Sequence, residues 1–125
     1  MDKVLIDSIK TLCPQVDITV IVRGDDVLND ATLEDAKQTG LTESCRVIGS
    51  GNTIAGTYLP ELSKEALDAF KAADVIISKG QGNFETLHHS GYNIYHMFLV
   101  KCDLFAKDFG VEKFSGMLIN DRDLK

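Results

Sequence analysis

Apolar and polar positions alternate along this chain in two rhythms, one helical and one strand-like. Leu5, Ile9 and Leu12 recur at helical spacing, and Pro14 stops that run just after Cys13. Ile18-Thr19-Val20-Ile21-Val22 is a β-branched run that predicts a buried strand closed by Gly24. The stretch from Ala31 to Thr39 reads as a helix, with Asn29 or Asp30 as its N-cap and Gly40 just past its end. Cys45 to Ile48 predicts a short strand, and Ser63 caps a helix running to about Ala72. Asp74 to Ser78 predicts another strand, followed by a glycine loop and a short helix to about His88. Ile94 to Val100 predicts a strand, Cys102 to Phe109 a helix closed by Gly110, and Ser115 to Ile119 a last strand.

Helix and strand thus alternate through short connections, and the strands are apolar runs. That pattern predicts an α/β fold: a three-layer α/β/α Rossmann-like sandwich around a mostly parallel sheet of about five strands, formed by residues 1–125 as a single domain. The first element is a helix, whereas this architecture leads into each such helix from a strand. The sequence therefore starts one strand late for a complete sheet.

Composition narrows the classes. The chain has 125 residues, 44% of them hydrophobic, which suits one folded domain and excludes disorder. Lys and Arg number 13 against 19 Asp and Glu, a net charge of -6, which argues against nucleic-acid or anionic-membrane partners. Cys13, Cys45 and Cys102 are far apart and form no CxxC pair, so the expected compartment is a reducing cytoplasm. Met1 to Lys10 mixes Asp2, Lys3, Asp7 and Lys10 into its apolar residues and does not read as a signal peptide, and the longest apolar stretch, Ile94 to Val100, is too short to span a bilayer.

Ligands of open α/β sheets bind beyond the carboxyl ends of the strands, and two loops stand out there. The first runs from Arg23 to Thr32 and gathers Asp25, Asp26, Asn29 and Asp30 after a buried strand. Hard cations take such oxygen ligands, although spacing alone favours Asn29 or Asp30 as the cap of the next helix, with the other acids solvated. The acids do not follow the EF-hand order. The second loop is Lys79-Gly80-Gln81-Gly82-Asn83, set between a strand and a helix. Glycines allow the backbone to approach an anion, and Lys79 adds a charge. A tight turn with Asn83 as a cap accounts for the same residues equally well. His88 and His89 are adjacent and point apart, and His96 on its strand reads as a core or ligand-facing imidazole. Cys102 reads as a structural thiol. A phosphoacceptor receiver domain, suggested by Asp25-Asp26 and Lys79, lacks its middle aspartate.

Taken together and in order, Val22-Arg23-Gly24, the run from Asn29 to Ala36, Lys79 to Glu85, and Leu99-Val100-Lys101-Cys102 resemble the damage-control phosphatase family, long catalogued as domain-of-unknown-function family 89. The resemblance implies an α/β/α fold and a metal-dependent phosphatase acting on small phosphate esters, including sugar phosphates and damaged phosphometabolites. It implies Asp30 as a metal ligand and catalytic residue, with Asn29 beside it in the cleft, and a divalent ion such as magnesium, manganese, cobalt or nickel. Lys79, with the backbone around Gly80 and Gly82 and with Asn83 next to them, would hold the substrate phosphate. Asp26 stands where the family commonly has proline. The family's aspartate-asparagine pair and the glycine-glutamate pair after it lie upstream of the first helix, and Asp2 matches the aspartate that trails this motif. The likeness therefore covers the carboxyl-terminal portion of a full member. A rival expectation is a module that binds a phosphorylated metabolite without turning it over, or that self-associates through an exposed sheet edge.

Overall fold

A computed structural model describes residues 2–23, 31–52 and 54–124. The chain divides into two compact units, Met1–Thr53 with Glu61–Ala69 and Ile54–Pro60 with Phe70–Lys125.

In the first unit, α1 (Asp2–Leu12) turns Ile6 inward to pack with Ala36 and Leu41, against Ile18, Val20, Cys45 and Val47. β1 (Thr19–Val22) and β2 (Arg46–Gly49) pair in parallel, from Thr19 opposite Arg46 to Val22 opposite Gly49. Between them lie α2 (Leu33–Gln38) and α3 (Leu41–Ser44), divided by Gly40 in the left-handed region. The cap of α2 is Thr32, in place of the expected Asn29 or Asp30. The Thr32 Oγ1 accepts the Asp35 N–H at 3.3 Å, and Asp35 Oδ2 accepts the Thr32 N–H at 2.9 Å. This reciprocal pair satisfies two otherwise orphaned donors, which an upstream residue could not do for this helix start. α4 (Lys64–Ala72) opens as expected at Ser63, whose Oγ accepts the Ala66 N–H at 3.2 Å.

The second unit contains β3 (Ile76–Lys79), β4 (Ile94–Leu99) and β5 (Gly116–Asn120), in the order β3-β4-β5. β3 and β4 run parallel, with Ser78 opposite His96, whereas β4 and β5 run antiparallel, with Phe98 opposite Met117. The α/β class therefore holds, but the expected single, mostly parallel sheet of about five strands does not. Among the described residues the five strands form a two-stranded parallel sheet and a three-stranded mixed one.

The antiparallel return is made right at the end of β4. After α6 (Asp103–Phe109) the chain re-enters beside its exit: Val100 donates its N–H to Ser115 O at 3.0 Å, and Phe114, at φ 70°, donates to Val100 O at 2.6 Å. β4 also alternates, with Ile94, His96 and Phe98 buried and Tyr95 and Leu99 exposed, unlike a strand covered on both faces.

The buried face of this sheet is aromatic. Phe84 of α5 (Gln81–Leu87) stacks on Phe98 at 4.7 Å between centroids and meets His96 and Phe105 edge-on at 5.0 and 5.4 Å. Such pairs add about 0.5–1.5 kcal/mol each beyond area burial. Phe70, Leu87 and Ile94 form a second patch, bordered by Leu59, Ile76 and Tyr92. Beneath Phe84, the fully buried His96 donates through Nε2 to Asp121 Oδ1 at 3.0 Å, because an ionised carboxylate can only accept. The same oxygen accepts the N–H of His89 at 2.9 Å, and His89 sits at φ 59°. One carboxylate therefore fastens β4, the turn after α5 and the 3-10 turn at Asp121–Asp123.

The crossover segment 54–60 lies against α5. Thr57 donates its N–H to Thr86 Oγ1 at 3.0 Å and its hydroxyl to Asn83 Oδ1 at 2.8 Å. A Cβ on Gly56, at φ +77°, would sit 2.6 Å from Gly82 O, so glycine is required there by both space and conformation.

Two stability outcomes follow, read by chemical denaturation. Replacing Asp121 with Ala strands the buried His96 Nε2–H, removes the acceptor of the His89 N–H, and lowers stability by about 1–3 kcal/mol. Asp121→Asn, which keeps an acceptor, costs less, and the exposed Asp103→Ala stays within about 0.5 kcal/mol. Gly56→Ala costs about 2 kcal/mol or more through the left-handed penalty and the overlap with Gly82 O.

Candidate functional site

β3 ends at Lys79, and α5 begins at Gln81 with Gly80 as its N-cap residue. The helix thus absorbs most of the expected glycine loop. Gly80 adopts φ 95°, ψ 150°, which is essentially glycine-only territory. Nothing lies within 4 Å of where its Cβ would be. Glycine is needed here for its backbone conformation, and its open side borders the carboxyl end of a sheet strand. Its N–H is bound to Met97 O at 2.9 Å, which keeps the turn on the β3–β4 pair.

Asn83 is not the cap of α5. It lies in the first turn, donates Nδ2–H to Lys79 O at 2.6 Å and accepts the Thr57 hydroxyl. Its carboxamide braces the loop from within and couples it to the crossover segment. Gln81 does the same on the other flank. Its Oε1 accepts the Lys101 N–H at 2.8 Å, and its Nε2 donates to Glu85 Oε1 at 2.9 Å and to Cys102 Sγ at 3.8 Å. Lys79, Gly80, Gly82 and Asn83 are therefore brought together as one braced turn.

The other candidate loop leaves β1 at Arg23 and rejoins the described chain at Ala31. Arg23 donates its N–H to Ala31 O at 3.0 Å and bridges Thr32, so the two ends of that loop are side by side. Asn29 and Asp30, with Asp25 and Asp26, lie outside the described residues. Arg23 is buried at the mouth of the loop. Among the described residues, no three His, Cys, Asp or Glu side chains converge as a metal site requires. The described side chains thus supply no ligand set for the implied divalent ion.

The remaining candidates serve the structure. His96 is the core imidazole bound to Asp121. His88 stacks on Phe84 and contacts Phe84 O through Nδ1 at 2.9 Å. Cys102 is the half-buried N-cap residue of α6, and burial pushes the Cys45 thiol up against the opposing pull of Lys10. Ser50, in the loop after β2, is buried and bonds Asn52 O at 3.2 Å. Sequence reasoning missed Thr57 and Gln81 as builders of the site, since their partners lie 20 or more residues away. Among the described residues no helix is long and apolar enough to cross a membrane.

Comparison with known proteins places the chain in a family. The sequence pattern of the damage-control phosphatase ARMT1-like domain matches residues 1–117. An uncharacterized protein of Methanocaldococcus jannaschii is 40% identical over 122 residues, 94% of this chain and 40% of its own length. A damage-control phosphatase of Pyrococcus horikoshii is 38% identical over 113 residues, 90% of this chain and 39% of its own. A crystal structure of a DUF89 family protein from Pyrococcus horikoshii superposes with a TM-score of 0.86 at 36% identity, covering 96% of this chain and 42% of that one. The chain spans about 40% of the length of the curated relatives it matches. With the family pattern matched over residues 1–117, the chain belongs to the damage-control phosphatase ARMT1-like (DUF89) family.

Proposed function

We propose that the chain is the carboxyl-terminal part of a metal-dependent phosphatase that hydrolyses small phosphate esters, such as sugar phosphates or damaged phosphometabolites. The observation that carries this reading is the turn at Lys79–Asn83. Its backbone is held open at Gly80 and braced on both flanks, and a lysine stands at its entrance. Lys79 supplies the cation for a phosphoryl group, and the backbone around Gly80 and Gly82 lies close enough to cradle it. Preorganised donors of this kind stabilise charge without reorganising during the reaction.

Asp30 is the carboxylate we assign to the metal, with Asn29 as its neighbour in the cleft. The ion we expect is magnesium, manganese, cobalt or nickel, and the compartment a reducing cytoplasm. The ion's chemistry is polarisation of the phosphoryl oxygens and activation of a water. A second reading is a module that binds a phosphometabolite without turnover or pairs with a second copy. It is favoured by β3, which has β4 as its single neighbour among the described residues and so keeps one edge open.

The test is hydrolysis of an aryl phosphate by the intact chain with manganese, cobalt or nickel. Asp30→Ala abolishes metal-dependent turnover. Lys79→Ala raises KM by about tenfold or more, the worth of a charge-assisted hydrogen bond. Binding of phosphate esters without turnover at any metal would establish the module instead.

A further inference from the structure

The three-stranded sheet of the second unit is covered on one face and bare on the other. We propose that the bare face docks against the same face of a second copy of this chain. Along β3, β4 and β5 the buried side chains alternate with an outward set that includes Ile77, Tyr95, Met97, Leu99 and Leu118, with Val75 just before β3. In register, Ile77 lies beside Tyr95, and Met97 lies beside Leu118. Val75, Ile77, Tyr95, Leu99 and Leu118 are 41–65% exposed, whereas Ser78, Ile94, His96 and Phe98 on the opposite face are buried. Val75, Ile77, Tyr95, Met97 and Leu118 line a groove of about 240 Å³. Contiguous apolar patches of more than roughly a few hundred Å² are rare on monomers and mark interaction sites.

Charge and area together select the partner. The chain carries a net charge of -6, so two copies repel wherever their acids meet. Here they do not meet. β3, β4 and β5 contain no Asp or Glu, and their one charged residue is Lys79, at the carboxyl end of β3. Two copies can therefore approach face to face without setting acid against acid. Six apolar side chains at roughly half exposure offer about 500 Å² per copy, so such a pair buries about 1,000 Å² in all, where specific interfaces begin. Two copies of one twisted sheet also share one shape. Identical patches related by a two-fold axis close a dimer, and twisted sheets stack through their apolar faces in this way. The contact is made by side chains across the flat of the sheet and leaves the backbone edge of β3 unused.

The experiment is sedimentation of the full 125-residue chain across a concentration series. The wild type passes reversibly from monomer to dimer in the micromolar range, as an interface of this area allows. Added salt strengthens the dimer, because it screens the repulsion between acidic copies and leaves apolar contact intact. Leu118→Glu sets an acid into each half of the interface and weakens association by about tenfold or more. Leu118→Thr, which suits a strand and removes only apolar surface, weakens it by about tenfold, since both copies lose the contact. Leu12→Glu, at an 87% exposed leucine of α1, leaves association unchanged. Circular dichroism checks the fold of each variant, and Leu118→Thr decides the matter if Leu118→Glu fails to fold. The proposal is overturned if the wild type stays monomeric throughout the series or if salt dissociates the dimer. It is equally overturned if association survives both variants at position 118, since the contact then runs through the β3 edge or another surface. A monomer that binds an apolar dye, and loses it in Leu118→Thr, shows that this face takes a different partner and rejects the second copy.

Discussion

The second unit of this chain hangs on one buried carboxylate. Asp121 holds His96 in the centre of the sheet and the N–H of His89 at the end of α5. Burying such a group is costly unless it is paired and bonded, so these contacts specify an arrangement that other packings could not satisfy. His96 in turn supports the edge of Phe84, and Phe84 anchors α5 on Phe98 and Phe105. α5 begins at Gln81, so the orientation of the glycine turn is inherited from a pair buried beneath the helix.

That dependence explains what the sequence revealed and what it concealed. Apolar runs and capping residues placed every strand and most helices within a residue or two, because they are local signals of burial. Thr32 was passed over as a cap because Asn29 and Asp30 are equally good cap residues, and only the reciprocal bond with Asp35 separates them. The antiparallel return of β5 was hidden for a different reason. A short helix after a strand looks the same in one dimension whether it crosses the sheet or merely widens a hairpin. The bonds of Val100 to Phe114 and Ser115 carry the distinction, and they join residues 14 and 15 positions apart.

The candidate site divides along the same line. Lys79, Gly80 and Gly82 were legible because a glycine-rich turn between strand and helix is contiguous in sequence. The bracing was not. Asn83 reaches Thr57, 26 residues away, and Gln81 reaches Lys101, 20 residues away. Asparagine after two glycines reads as a cap, yet its amide holds the preceding carbonyl and a threonine of the crossover segment. The polar residues of the motif thus build the turn.

Charge gives the arrangement its last constraint. A chain of net charge -6 repels an anion at long range, but that field is screened beyond about 8 Å at physiological ionic strength. An anion at this surface is therefore met at contact distance, by the charges held close to it. Glu85 lies one helical turn from Gln81 and would be the local opponent of any bound anion; the Gln81 amide engages it. The same carboxamide holds the Lys101 backbone. An amide bonded to a carboxylate leaves its charge in place, so what the Gln81 carboxamide contributes is position: it fixes where the acid sits relative to the turn and to the end of β4.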